Sequence, residues 1–160
     1  MKNPEDIIAL DRENFFESSK HVRRYVNKVA RKQQKPIEEV ENKYYRLYIE
    51  QLDYFRQMLA KANEGDSKAQ RIVGEYFDGI HLSMGDSIID KEEALYYYKK
   101  SANQGDHIAC FAMAYKLKDK NKRLAKKYYR VYKSFKDTHK SDGEMSSLQS
   151  IYGSVADELE

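Results

Sequence analysis

Apolar residues recur in threes and fours along most of this chain, and the clearest run lies between positions 37 and 61. Ile37, Val40, Tyr44, Leu47, Tyr48, Leu52, Phe55 and Leu59 follow that rhythm. Such intervals line one face of a 3.6-residue turn, so the run predicts one long amphipathic helix. Gly65 is placed to end it, because glycine adopts the left-handed cap conformation at little cost. Asp66 then caps a helix with Ala69, Ile72, Val73, Tyr76 and Phe77 inward. A loop, DGIHLSMGDSIID, leads to Asp90, and Glu93 three residues on makes an Asp variant of the capping box. That helix runs to Asn103–Gly105. Asp106 opens the next, with Ala109, Met113 and Leu117 inward, and Asn121 opens another carrying Leu124, Ala125, Tyr128, Tyr129 and Tyr132.

The ends follow the same logic. Asn3-Pro4-Glu5-Asp6 reads as an N-cap, a proline at the first helical position and acids near the positive end of the helix dipole. The helix it predicts carries Ile7, Ile8, Leu10, Phe15 and Phe16, and the pattern leaves open a break near Ser18-Ser19. Val22, Tyr25, Val26 and Val29 mark a further helix, which Pro36 ends while opening the long one with Glu38 and Glu39 in its first turn. Ser141-Asp142-Gly143-Glu144 is a capping box before a last helix with Met145, Leu148, Tyr152, Val155 and Leu159. No segment alternates as a strand. The expectation is all-α, with about seven helices in a single domain over 1–160: N-terminal helices at 1–35, a repeat region at 36–140 and a C-terminal capping helix at 141–160.

A repeat lies inside this pattern. ANEGD at 62–66 returns as ANQGD at 102–106, and Ala62, Gly65, Asp66 and Ala69 match Ala102, Gly105, Asp106 and Ala109. A fixed period of this size predicts stacked helical hairpins, each burying its face on the next. In EEALYYYKKSANQGD, residues 92–106, Ala94, Tyr97, Tyr98, Ser101 and Ala102 share one face. The small residues admit a close neighbour and the tyrosines fill the gaps beside them, whereas Tyr96, Lys99 and Lys100 face away.

Together these residues closely resemble the Sel-one-like repeat, a relative of the tetratricopeptide repeat. Ala69-Gln70, Val73-Gly74 and Phe77 stand for its first helix; Asp90, Ala94, Tyr97-Tyr98, Lys100, Ala102 and Gln104-Gly105 stand for its second. The following unit is degenerate: Ala109 and Ala114 remain, Cys110 replaces the glutamine, and Asn121, Ala125 and Tyr128-Tyr129 mark its second helix. The resemblance covers roughly 55–135. It implies a right-handed superhelix of stacked antiparallel helix pairs with extra helices at both ends, acting as a non-catalytic adaptor or scaffold for peptides or protein domains. A dedicated inhibitor, such as an immunity protein neutralising a toxin, is a special case of that reading. By alignment with the tetratricopeptide pattern, the concave groove takes Lys68, Arg71 and Glu75 from one unit and Ile108, Phe111 and Tyr115 from the next. The second set gives its helix two apolar faces, so either the N-terminal helix folds over this stripe or a partner does.

Composition adds limits. The chain has 14 tyrosines and no tryptophan, 34% charged residues and a net charge of +3. That charge is too small to imply nucleic acid by itself. One cysteine, Cys110, precludes an intramolecular disulfide and argues against a structural zinc site. The N-terminal stretch lacks the apolar run of a secretory signal and nothing is long enough to span a bilayer, so the expected location is the cytoplasm. His21, His81, His107 and His139 are scattered, and Asp78, Asp86 and Asp90 do not follow calcium-loop spacing. Cys110 reads as a buried inert thiol. No cofactor and no enzymatic activity are expected.

Two basic runs stand out. Positions 20–35 hold seven Lys or Arg and no acid; 116–136 hold ten against Asp119 alone, while 141–160 hold five acids and no base. Such faces are solvated or neutralised within the chain, meet an acidic partner protein, or bind nucleic acid or another anionic surface. The last is the alternative function.

Overall fold

A computed structural model describes residues 1–138, together with Leu159. The described residues are helical, with no strand among them: α1 (Arg12–Ser18), α2 (Lys20–Gln33), α3 (Ile37–Asn63), α4 (Ser67–Asp78), α5 (Lys91–Asn103), α6 (His107–Leu117) and α7 (Lys122–Thr138). Single 3-10 turns occupy Pro4–Asp6 and Leu82–Met84. From α2 onward each helix packs chiefly on its neighbour in the chain. His139 and most of the expected helix at 141–160 lie outside the described residues; Leu159 is helical and buried in the core.

Capping residues set the helix starts. Asp66 accepts from the Ala69 amide at 2.6 Å, Asp90 from Glu93 at 3.1 Å, Asp106 from Ala109 at 2.8 Å and Asn121 from Leu124 at 3.1 Å. Each bond satisfies one amide that the first turn leaves without a partner. The stops at Gly65 and Gly105 also match. Both have positive φ, +106° and +91°, and both sit in paired closing bonds, Asp66 N to Lys61 O at 3.1 Å and Asp106 N to Ser101 O at 3.3 Å.

The two ANxGD turns lie against each other. Ser101 Oγ donates to the Ser67 carbonyl at 2.7 Å, and Gln104 Nε2 donates to Gln70 Oε1 at 2.7 Å and to the Gly65 carbonyl at 3.1 Å. Positions 70 and 110 reach back alike: Gln70 Nε2 to the Ala62 carbonyl at 3.1 Å, Cys110 Sγ to the Ala102 carbonyl at 3.8 Å. On α5, Tyr97 and Tyr98 are buried and Tyr96 is exposed beneath Lys100, as the face assignment anticipates. The Tyr98 ring lies so close to Gly74 that a Cβ there would stand 2.8 Å from it.

The N-terminus departs from expectation. The helix opened by Asn3 lasts one 3-10 turn, and 7–10 is not helical. Side chains of α3 take up the backbone groups of that stretch: Arg56 donates to the Ile7 carbonyl at 2.9 Å, Tyr45 to the Leu10 carbonyl at 2.8 Å, and the Leu10 amide donates to the Tyr48 hydroxyl at 3.0 Å. With those groups satisfied and Ile7 buried, helix formation gains nothing locally. Asp11 then caps α1, bonding the Asn14 amide at 2.9 Å. The break falls at Ser19, a buried residue whose hydroxyl accepts from the Asp86 amide at 2.6 Å. Between α2 and α3 the chain turns through Gln34, the one non-glycine with positive φ among the described residues, at 52°.

Candidate functional site

Of the six residues expected in a groove, Arg71 and Glu75 join a nearly buried ion network. Arg71, whose side chain is 6% exposed, donates to Glu75 at 2.8 Å and to Asp106 Oδ2 at 3.3 Å. The other oxygen of Asp106 caps α6, so one carboxylate ties the start of α6 to the middle of α4. His81 stacks on Tyr76 with ring centroids 3.9 Å apart and lies 3.6 Å from Glu75 Oε2. Lys68 is at the surface. In the apolar set, Ile108 is 2% and Phe111 3% exposed, and Tyr115 is half-buried beneath Lys118. Phe111 meets Tyr132 of α7 at 4.9 Å, so α7 supplies part of the cover over the stripe. Of the polar trio, Arg71 and Glu75 are brought together, with Asp106 as their third member; the apolar trio is mostly inside the chain.

A second network was not anticipated. The Asp78 side chain is 3% exposed and accepts from Lys116 at 2.6 Å and Lys91 at 2.9 Å, with the Tyr98 hydroxyl 3.5 Å away. Lys91 also donates to the Asp78 carbonyl at 2.6 Å. A buried charge must be paired to be tolerated, and this one joins α4, α5 and α6. Lys116, the first cation of the second basic run, is therefore neutralised inside the chain. No periodic signal links 78 to 91 and 116, which is why the sequence left Asp78 in a loop.

Burial shifts a thiol and several phenols. It pushes the Cys110 thiol up to about 11, with Asp106 adding to the effect. At neutral pH the group is a thiol, a poor nucleophile. Burial likewise pushes the Tyr76 phenol up to about 12, helped by Tyr54 and Glu75, and the Tyr97 phenol up to about 12, helped by Glu93. Among the described residues no three of His, Cys, Asp and Glu are grouped to hold a metal ion. No described helix is long and apolar enough to cross a membrane.

The first basic run builds a different surface. On α2, Val22, Val26 and Ala30 are buried while Lys20, Arg24, Lys28 and Arg31 are exposed on the opposite face. Tyr25, 54% exposed, meets Tyr44 of α3 edge to face at 5.5 Å. Two open clefts flank the α2–α3 turn. One, of about 370 Å³, is lined by Val29, Val40 and Tyr44 with Lys35, Lys43 and Arg46. The other, of about 540 Å³, is lined by Ala30, Ile37, Arg31 and Lys35 among others.

Comparison with protein-family models, with curated proteins and with solved structures gave no match.

Proposed function

We propose that this chain is a non-catalytic protein–protein interaction module, built as a right-handed superhelix of stacked helix pairs in the manner of the Sel-one-like and tetratricopeptide repeats. It acts as an adaptor or scaffold, with a dedicated toxin inhibitor as a special case, and its proposed place of action is the cytoplasm. The observation that carries this reading is the pairing of equivalent turns. Gly65-Asp66 and Gly105-Asp106 close and cap alike, positions 70 and 110 reach back to equivalent alanines, and the turns bond to each other through Ser67, Ser101, Gln70 and Gln104. Chains built this way present long helical surfaces to partners. α2 and the start of α3 carry a run of exposed residues; of the six groove positions, Lys68 is exposed and Tyr115 half-buried.

The second reading, binding to nucleic acid or another anionic surface through 20–35 and 116–136, is favoured by the unbroken cation row on α2. One experiment separates the two. The tagged chain is used to capture partners from a lysate of its native cell, with and without nuclease, and the recovered protein is purified and recombined with it. A stoichiometric complex that survives nuclease and reforms from pure components is expected. Recovery of nucleic acid alone, or loss of every partner on nuclease treatment, would overturn the reading.

A further inference from the structure

The geometry points to the α2–α3 hairpin as the docking surface for an acidic, apolar-anchored segment of a partner protein, an inference that rests on the protein-binding reading above. Lys20, Arg24, Lys28 and Arg31 run along the open face of α2 at intervals of four, four and three residues. Their spread from Lys20 to Arg31 is about 17 Å at the rise of an α-helix. No acid interrupts α2, and among the described residues none of these four lies within 4 Å of a carboxylate, whereas Arg12, Lys35, Arg71, Lys91 and Lys116 do.

The clefts decide what kind of anion fits. Their walls carry four cations, Arg31, Lys35, Lys43 and Arg46, against the single acid Glu39, which Lys35 engages at 2.8 Å. The rest of the lining mixes apolar and amide side chains: Val29, Val40 and Tyr44 with Gln33 and Asn42 in one cleft, Ala30 and Ile37 with Asn27 and Gln34 in the other, with Ile37 46% exposed. Apolar side chains beside cations accommodate Leu, Ile or Phe flanked by carboxylates. A phosphate backbone would use the cations and leave the apolar lining wet. At the start of α3, Glu39 and Glu41 are already paired, with Lys35 at 2.8 Å and Arg12 at 2.6 Å, so they take little from the positive character of this face. Charge complementarity on this face selects an anionic partner, and the apolar lining beside the cations selects an acidic protein segment with apolar anchors over nucleic acid.

The test uses the full chain and a displayed library of random peptides about twelve residues long, selected at physiological salt. The expected pool is enriched in Asp and Glu beside Leu, Ile or Phe. Its members bind the chain carrying Arg24→Glu, Lys28→Glu and Arg31→Glu about tenfold more weakly. A control with the same charge change elsewhere, Lys99→Glu, Lys120→Glu and Lys127→Glu, binds them as wild type does, and melting shows that both are folded. Lys43→Ala with Arg46→Ala gives a second, gentler probe of the same cleft and weakens binding in the same direction. Selected peptides that bind every variant alike overturn this surface while leaving the protein-binding reading in place. A pool without acidic enrichment also overturns it. Single-stranded or duplex oligonucleotides that bind more tightly than the peptides and are lost with the α2 reversal overturn both.

Discussion

Two kinds of glycine are separable at the level of single residues. Gly105 has a positive φ and nothing within 4 Å of where its Cβ would stand, so a substitution there meets only backbone cost. Gly105→Val is expected to destabilise by about 1–2 kcal/mol, and Gly105→Asn by less, because Asn tolerates the left-handed region. Gly65→Val should behave alike. Equal melting of the Val variants and wild type would mean that these turns are not left-handed stops. Gly74 is the opposite case: it is a space requirement inside α4, set by the buried Tyr98 ring. Gly74→Ala should cost about 1–3 kcal/mol through overpacking. In a Tyr98→Ala background that extra cost should vanish, since the two sites then no longer share a contact. Denaturant titration of the double-mutant cycle measures the coupling, and a coupling near zero would sink the steric explanation.

Among the elements, those with local signals were legible and those settled by distant partners were not. The long helix was expected at 37–61 and runs Ile37–Asn63, because its apolar stripe and its Pro36 and Gly65 punctuation are all local. Asp66, Asp90, Asp106 and Asn121 cap as expected for the same reason. At 7–10 the hydrophobic spacing suits a helix, yet Arg56, Tyr45 and Tyr48, some forty residues away, hold it otherwise. The Gln34 turn carries no glycine to announce it. In the groove positions, Arg71 looked like a surface cation because its partner Asp106 lies 35 residues on. Asp106 gives the sharpest test at this scale. Asp106→Ala removes a cap and a partner of a buried guanidinium together, so its destabilisation should exceed that of Asp90→Ala, each measured by denaturant unfolding; a cap alone contributes about 1 kcal/mol. Asp90 adds a pH signature. The amide of Glu93 and the nearby Lys2 hold its carboxyl below the usual range. Its stabilisation is therefore present at neutral pH and is lost as pH falls through its lowered value in the folded chain. Asp90→Asn should flatten that acid limb.

For the whole molecule, the tyrosine-rich core predicts an alkaline limit. The Tyr76 and Tyr97 phenols are pushed from 10 to about 12 in the folded chain, chiefly by burial. Below pH 10 they are neutral whether the chain is folded or not. Between pH 10 and 12 the unfolded chain ionises them first, so stability falls as pH rises through that window. Tyr76→Phe should reduce the slope of stability against pH there; an unchanged slope would show that Tyr76 does not contribute.

The joint between α6 and α7 carries the decisive test of where a partner can bind. Phe111 is buried and packs 4.9 Å from Tyr132, so Phe111→Ala should behave as a core truncation. Such truncations cost on the order of 3–5 kcal/mol, because apolar transfer energy is lost and a cavity remains. For a chain of this length that corresponds to a fall in melting temperature of about 6–20 °C. Tyr25→Ala on the open face of α2 should shift it far less, since about half of that residue is already exposed. The contrast has consequences beyond stability. A large loss at Phe111 with little at Tyr25 leaves the α2–α3 face as the place for a partner to dock. A Phe111→Ala chain that melts like wild type would mean that this ring is open in solution. Binding would then return to the groove formed by Lys68, Arg71, Glu75, Ile108, Phe111 and Tyr115, and Phe111→Ala would be expected to weaken partner binding instead.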